Sequence, residues 1–301
     1  MSEWVGKVCV MTQRRLLVVH AHPDDECLST GGVLATHTAA GDQVTLVTCT
    51  LGEEGEILLP HISHLAADQE DGLASHRIEE LAASMTALGI SDSRILGGAG
   101  TYRDSGMMGE PSNDRPGSFW RADLREAADH LVAIIRETRP QVLITYDDFG
   151  GYGHPDHIQA HRVATYAAVL AAVATYRPDL GDAWEIPRWY WTAFPKSEVR
   201  KGIELLRAAG DTSDFAAMDP DDLPFTVDDD VVAVVVDVAA QLPAKRAAMA
   251  AHASQINLDE GFFALSNNEG MPVFDKEYFR LAKGDLPPGG PHDDLFVGLS
   301  E

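Results

Sequence analysis

The chain has 301 residues, with 23 Lys plus Arg against 47 Asp plus Glu, giving a net charge of −24 at pH 7 and an isoelectric point near 4.7. So acidic a protein disfavours nucleic acid and anionic membranes as partners, while 45% hydrophobic and 23% charged residues exclude a disordered chain. Its three cysteines, Cys9, Cys27 and Cys49, are too few and odd in number for a disulfide framework, which fits a reducing cytoplasm.

No apolar run approaches the roughly 20 residues of a membrane span, and the segment before Arg15 has no apolar core of a secretory signal. Met11 is an alternative start. Arg15 to His20 is a β-branched apolar run that reads as a buried strand, and the polar stretch Ala21 to Glu26 follows it as a loop. Cys27 to Ala39 reads as one helix closed by Gly41. Gln43 to Thr48 is a second strand, followed by the acidic, Gly-rich stretch Gly52 to Glu56.

Leu65 to Leu88 carries apolar residues at helical spacing and stops at Gly89. Arg94 to Leu96 is a third strand. The Gly-rich segment from Gly97 to Gly117 is too long for a mere connection and reads as a binding loop. Leu124 to Thr138 is helical, Gln141 to Tyr146 is a fourth strand, and the glycine-rich loop Asp147 to Gly153 leads into His154-Pro155-Asp156-His157 and a helix reaching Ala174. Beyond Tyr176, Trp189 to Ala193 and Val231 to Val236 read as strands, Lys196 to Ala209 and Pro243 to Gln255 as helices.

Strands alternating with helices predict an α/β, Rossmann-like fold: a mostly parallel sheet with helices on both faces, plus a smaller C-terminal α/β portion. No G-x-G-x-x-G follows the first strand, so the dinucleotide fingerprint is absent. In such a sheet the binding crevice lies at the carboxyl ends of the strands beside the order reversal. His22-Pro23-Asp24-Asp25 after the first strand and His154-Pro155-Asp156-His157 after the fourth should therefore meet.

One such motif alone is ordinary helix-start chemistry, Pro at N1 with an acid in the first turn. Two of them after separate strands point instead to a metal. Two imidazoles and a carboxylate without thiolates suit a catalytic Zn²⁺ with a position left for water, with Fe²⁺ as the alternative ion. Residues 12–176 then form the Rossmann-like metal-binding catalytic domain, and residues 177–301 a smaller α/β portion that completes the substrate pocket.

The stretch from Ala21 to Glu26, taken with Gly153 to His157, resembles the LmbE/PIG-L superfamily of zinc-dependent N-acetylglucosamine deacetylases. Thr50 to Glu56, His76-Arg77-Ile78, Gly97 to Gly100, Arg103 to Met107 and Asp147 to His157 narrow the resemblance to the mycothiol-biosynthesis branch, which deacetylates an N-acetylglucosaminyl-inositol pseudodisaccharide. The likeness is close through the first half of the chain and loose beyond it.

The resemblance implies that His22, Asp25 and His157 bind zinc and that Asp24 is the base for the attacking water. It implies that His154 stabilises the oxyanion as imidazolium, that Tyr152 adds a hydroxyl there, and that Asp156 orients a histidine. Arg77, Asp104, Met107 and Glu56 would surround a small amino-sugar substrate. Ser29, one helical turn past Asp25, would lie at the mouth of the site and favour an acetyl group over the bulkier amide cleaved by the sister mycothiol S-conjugate amidase, where a lysine is expected. His20 reads as a packed core histidine, Glu26 as a residue that caps or orients, Cys27 as inert, and Trp184, Trp189 and Trp191 as packing.

Two readings from other classes compete. A facial triad of two His and one carboxylate also serves non-haem iron oxygenases, but those favour His-x-Asp/Glu on an antiparallel barrel. A non-catalytic metal-dependent sugar-binding protein would need no base, and Asp24 beside a ligand argues against it.

Overall fold

Residues 13–299, apart from 213, 220, 259–262, 266–269 and 272–273, are described by a computed structural model. Cys9 and the alternative start at Met11 lie outside the described residues. The first strand, β1 (Arg15–His20), is buried along Leu16 to His20, so both of its faces are covered. That is why it reads as a continuous apolar run rather than an alternating one.

The helix expected from Cys27 to Ala39 is two helices, α1 (Asp25–Ser29) and α2 (Gly31–Ala39). Thr30 separates them: its hydroxyl donates to the Glu26 carbonyl at 2.9 Å, and Gly31 and Gly32 follow, both poor helix formers. After β2 (Gln43–Thr48) comes α3 (Leu73–Leu88), which starts later than the periodicity predicts because Pro60–Leu65 is a short 3-10 turn and Asp71 adopts positive φ. Gly89 ends α3 in the left-handed conformation, as expected.

Then follow β3 (Asp92–Ile95), α4 (Leu124–Thr138), β4 (Val142–Thr145), α5 (Pro155–Ala171), β5 (Arg188–Ala193), α6 (Lys196–Ala208), α7 (Asp214–Ala217), β6 (Val234–Asp237) and α8 (Leu242–Ala251). The expected strand from Val231 begins three residues later, since Asp229–Val231 is a 3-10 turn, and the helix expected to reach Gln255 ends at Ala251. A small antiparallel sheet joins β7 (Ile256–Asn257), β8 (Phe263–Leu265) and β9 (Gly270–Met271), and β10 (Lys276–Lys283) closes the series.

The main sheet has the order β3-β2-β1-β4-β5-β10-β6. The five strands from β3 to β5 are parallel, and β10 runs antiparallel to both β5 and β6. Leu16, Val18, Leu46 and Ile144 point to one face, where Leu34, Leu81, Met85 and Met249 of α2, α3 and α8 pack. Leu17, Val19, Val47 and Leu143 point to the other, against Leu131, Ile135, Val163 and Ala167 of α4 and α5. Of the strands contributed after residue 176, β5, β10 and β6 extend this same sheet. Among the described residues no helix is long and apolar enough to cross a membrane.

Candidate active site

Strand order reverses between β1 and β4, and the loops leaving their carboxyl ends meet there. His22 faces both loops: its Nε2 lies 3.3 Å from Asp156 Oδ2 and 3.6 Å from Asp104 Oδ1, and its Nδ1 lies 3.5 Å from Asp25 Oδ2. Asp25 Oδ2 accepts the His22 backbone N–H at 2.8 Å and the Tyr146 hydroxyl at 2.7 Å, while Oδ1 lies 3.4 Å from His157 Nε2. His157 Nδ1 lies 3.1 Å from the Gly150 carbonyl and donates to it, leaving Nε2 buried with no hydrogen-bond partner. Gly150 allows this approach: its φ is +68°, and a Cβ there would sit 2.7 Å from the His157 Cβ.

Ligands sharing a tetrahedral zinc at about 2.0–2.1 Å stand about 3.3 Å apart. The contacts of Asp25 with His22 Nδ1 at 3.5 Å and His157 Nε2 at 3.4 Å have that spacing, and the orphaned His157 nitrogen faces the gap. His22, His154 and His157 also bring nitrogens within 4.8 Å of one another. His154, however, N-caps α5: its Nδ1 accepts the Asp156 backbone N–H at 3.1 Å.

That bond corrects the imidazolium expected at His154. An Nδ1 that accepts carries no proton, so the ring is neutral and bears its hydrogen on Nε2. Burial, reinforced by the neighbouring His22 and His157 rings, pushes its pKa down to about 2. Burial likewise lowers His157 to about 4 and raises Asp156 to about 6. At Asp24, burial outweighs the Arg77 guanidinium and lifts the carboxyl to about 6. Burial would also raise Asp25, but His157 and His22 hold it well below the usual carboxylate range.

Arg77, expected among the substrate contacts, is buried and turned toward the protein's own loops. It donates to Asp24 Oδ2 at 2.6 Å, to the Pro23 carbonyl and to the Gly52 carbonyl at 3.1 Å. Asp104 is buried beside His22, held by the Gly106 and Glu54 backbone N–H groups. Met107 and Tyr152 are 51% and 44% exposed, the latter with its ring centroid 4.9 Å from that of His157. Glu56 is exposed, and its carbonyl accepts from Gln255.

Ser29, the last residue of α1, lines a cavity with Leu28, Phe194, Lys245, Glu277 and Tyr278. His20 is a packed histidine, as expected, bonded to Tyr146 and Thr30.

Sequence reasoning missed Tyr146, whose hydroxyl fixes Asp25, and Ser105, whose backbone N–H and hydroxyl both bond Asp156. Both carried a signal, Tyr146 as the residue leaving a buried strand toward the site and Ser105 inside the Arg103 to Met107 stretch. His252 was missed as well: its Nε2 lies 2.7 Å from Glu26 Oε1 across 226 residues of chain, a distance no local pattern reports.

The PIG-L family profile, described as GlcNAc-PI de-N-acetylase, matches residues 17–168. The chain belongs to the PIG-L family. It is 58% identical over 288 residues to the 1D-myo-inositol 2-acetamido-2-deoxy-alpha-D-glucopyranoside deacetylase of Geodermatophilus obscurus, covering 95% of this chain and 98% of that one. The protein of the same name from Streptomyces avermitilis is 52% identical over 292 residues, covering 96% and 99%. Among solved structures, N,N'-diacetylchitobiose deacetylase from Pyrococcus horikoshii superposes with a TM-score of 0.56 at 18% identity, over 82% of this chain and 73% of that one. The 4-carboxy-2-hydroxymuconate hydratase GalB from Pseudomonas putida reaches 0.58 at 17% identity, over 92% and 100%. A deacetylase and a hydratase thus share this PIG-L fold, and the fold alone does not set the reaction.

Proposed function

We propose that the chain is a zinc-dependent hydrolase that removes the N-acetyl group from 1D-myo-inositol 2-acetamido-2-deoxy-alpha-D-glucopyranoside, the N-acetylglucosaminyl-inositol of mycothiol biosynthesis. The observation that carries this reading is the convergence of His22, Asp25 and His157 at ligand spacing with a second carboxylate, Asp24, next to a ligand in sequence. Relatives more than half identical over nearly the whole chain supply the substrate.

Held by His22, Asp25 and His157, zinc would supply Lewis acidity, lowering the pKa of water and polarising the acetyl carbonyl; Fe²⁺ suits the same donors. Asp24, one oxygen fixed by Arg77, accepts the proton of the attacking water and returns it to the departing amine. His154 donates from Nε2–H, as a neutral ring, to the carbonyl oxygen as it gains charge, and Tyr152, exposed on the loop that precedes it, adds its hydroxyl. Asp156 orients His22, which is the histidine its carboxylate faces. Asp104, Met107 and Glu56 form the sugar-facing rim. Residues 177–301 complete the pocket through Ser254, which binds Glu80, and Gln255, which binds the Glu56 carbonyl.

Acetate release from the acetylated pseudodisaccharide tests this reading, run beside cleavage of a cysteinyl conjugate with and without chelator. Acetate release that chelation abolishes and Zn²⁺ restores is expected. Full activity in metal-free protein overturns the metal assignment, a higher kcat/KM on the conjugate makes the chain an amidase, and binding without turnover makes it a sugar-binding protein.

A further inference from the structure

Asp24 has φ of +110°, a backbone conformation that a residue with a Cβ rarely adopts and that persists only where the surroundings enforce it. The enforcing contacts come from two directions. Arg77 of α3 grips the carboxylate, and the Asp24 backbone N–H donates to Glu26 Oε2 at 2.8 Å. Glu26 is fully buried, so its second oxygen needs donors of its own. These are the Ser84 hydroxyl at 2.5 Å and His252 Nε2 at 2.7 Å.

His252 is the residue at which α8 ends, and it too is fully buried. Its Nδ1 has no partner, so the bond to Glu26 is the ring's hydrogen bond among the described residues. On α3, Arg77, Glu80 and Ser84 recur at i, i+3 and i+7, a buried polar stripe on one helix face. That stripe binds Asp24, Ser254 and Glu26 in turn. The helices α3 and α8 therefore clamp the strained residue between them.

We infer that His252 is a positioning residue: through Glu26 it fixes the backbone of Asp24, and so the direction in which that carboxylate faces the water it deprotonates. This rests on the proposed hydrolase reading only for its kinetic half. Removing a group that orients a catalytic one costs about 10- to 100-fold in activity. The loss falls on kcat, because His252 is buried behind Glu26 and hydrogen-bonds none of His22, Asp25 and His157.

The experiment compares His252→Ala, His252→Asn and His252→Gln with wild type in acetate release, bound zinc and hydrogen exchange at the Asp24 amide. Gln places its amide where Nε2 stood, whereas Asn falls short of Glu26. The expected result is a kcat lowered about 10- to 100-fold in the Ala and Asn variants at unchanged KM and zinc. Faster Asp24 exchange accompanies that loss, and both return toward wild type in the Gln variant. Unchanged kcat in all three overturns the inference, as does a loss of KM or zinc that Gln does not rescue. Should wild type release no acetate, the functional reading fails separately, and an Asp24 amide equally protected in wild type and His252→Asn overturns the clamp itself.

Discussion

Two adjacent carboxylates meet different surroundings, and the difference suits the different work proposed for them. Asp25 is ringed by donors and imidazoles, which keep it ionised and hold one oxygen toward His157. Asp24 is half-buried beside the Arg77 guanidinium and is far more easily protonated, which suits the proton acceptor proposed for it. Asp24→Asn is accordingly expected to keep its zinc and lose about 10²- to 10⁴-fold in turnover, while Asp25→Asn loses metal. Zinc measured per protein beside kcat separates them; normal zinc in both with an active Asp24→Asn would reverse the assignment. The two motif histidines divide in the same way. His154→Ala should retain zinc and lose about 10²- to 10³-fold in kcat, as loss of an oxyanion donor does, whereas His157→Ala, whose Nε2 has no other partner, should lose the ion. Equal zinc loss in both would make His154 a ligand.

At the scale of elements, β10 shows why part of the fold was hidden in the sequence. Its residues Lys276 to Lys283 place Glu277 on the inward side beside Phe279, so the alternation that marks a strand is broken by a buried charge. The structure satisfies that charge: Glu277 accepts the Gly32 and Val33 backbone N–H groups at 2.8 Å each and pairs with Lys245 Nζ at 2.7 Å. A strand thus caps the start of α2, which lacks a side-chain cap of its own. Glu277→Gln should cost about 3–5 kcal/mol, the penalty for leaving the buried Lys245 ammonium without its counter-charge. A lower urea midpoint at unchanged m-value checks it; a midpoint within error of wild type would mean that Lys245 escapes to solvent. The strands β1 and β2, whose bounds the sequence predicts residue for residue, carry no such conflict: both are apolar runs between polar turns. The two His-Pro-Asp motifs were legible for a related reason, since each is contiguous and sits directly after a recognisable strand. The clamp at Glu26 was not, because its members come from α1, α3 and the end of α8.

At the scale of the whole molecule, the proposed catalytic and metal-binding residues all lie before residue 176, yet their support does not. The face of the sheet behind α2 and α3 is filled by Tyr190, Val234, Val236, Val238, Met249, Ile256, Phe279 and Leu295 as well as by residues of the first half. The strand β5 pairs directly with β4, and β10 and β6 follow it. A chain ending at residue 176 would leave β4 as an open edge beside uncovered Val142 and Ile144, a configuration that invites pairing with other chains. It would also lack His252, Ser254 and Gln255, the partners of Glu26, Glu80 and the Glu56 carbonyl. Residues 12–176 alone are therefore expected to aggregate or to bind a hydrophobic dye, and to show no cooperative melting transition. Co-expression with residues 177–301 should restore a soluble complex, because the missing strands and α8 can then dock on the exposed edge and face. A cooperatively melting, zinc-binding fragment 12–176 would show instead that the first half is an independent domain, to which the second half adds only the wall of the pocket.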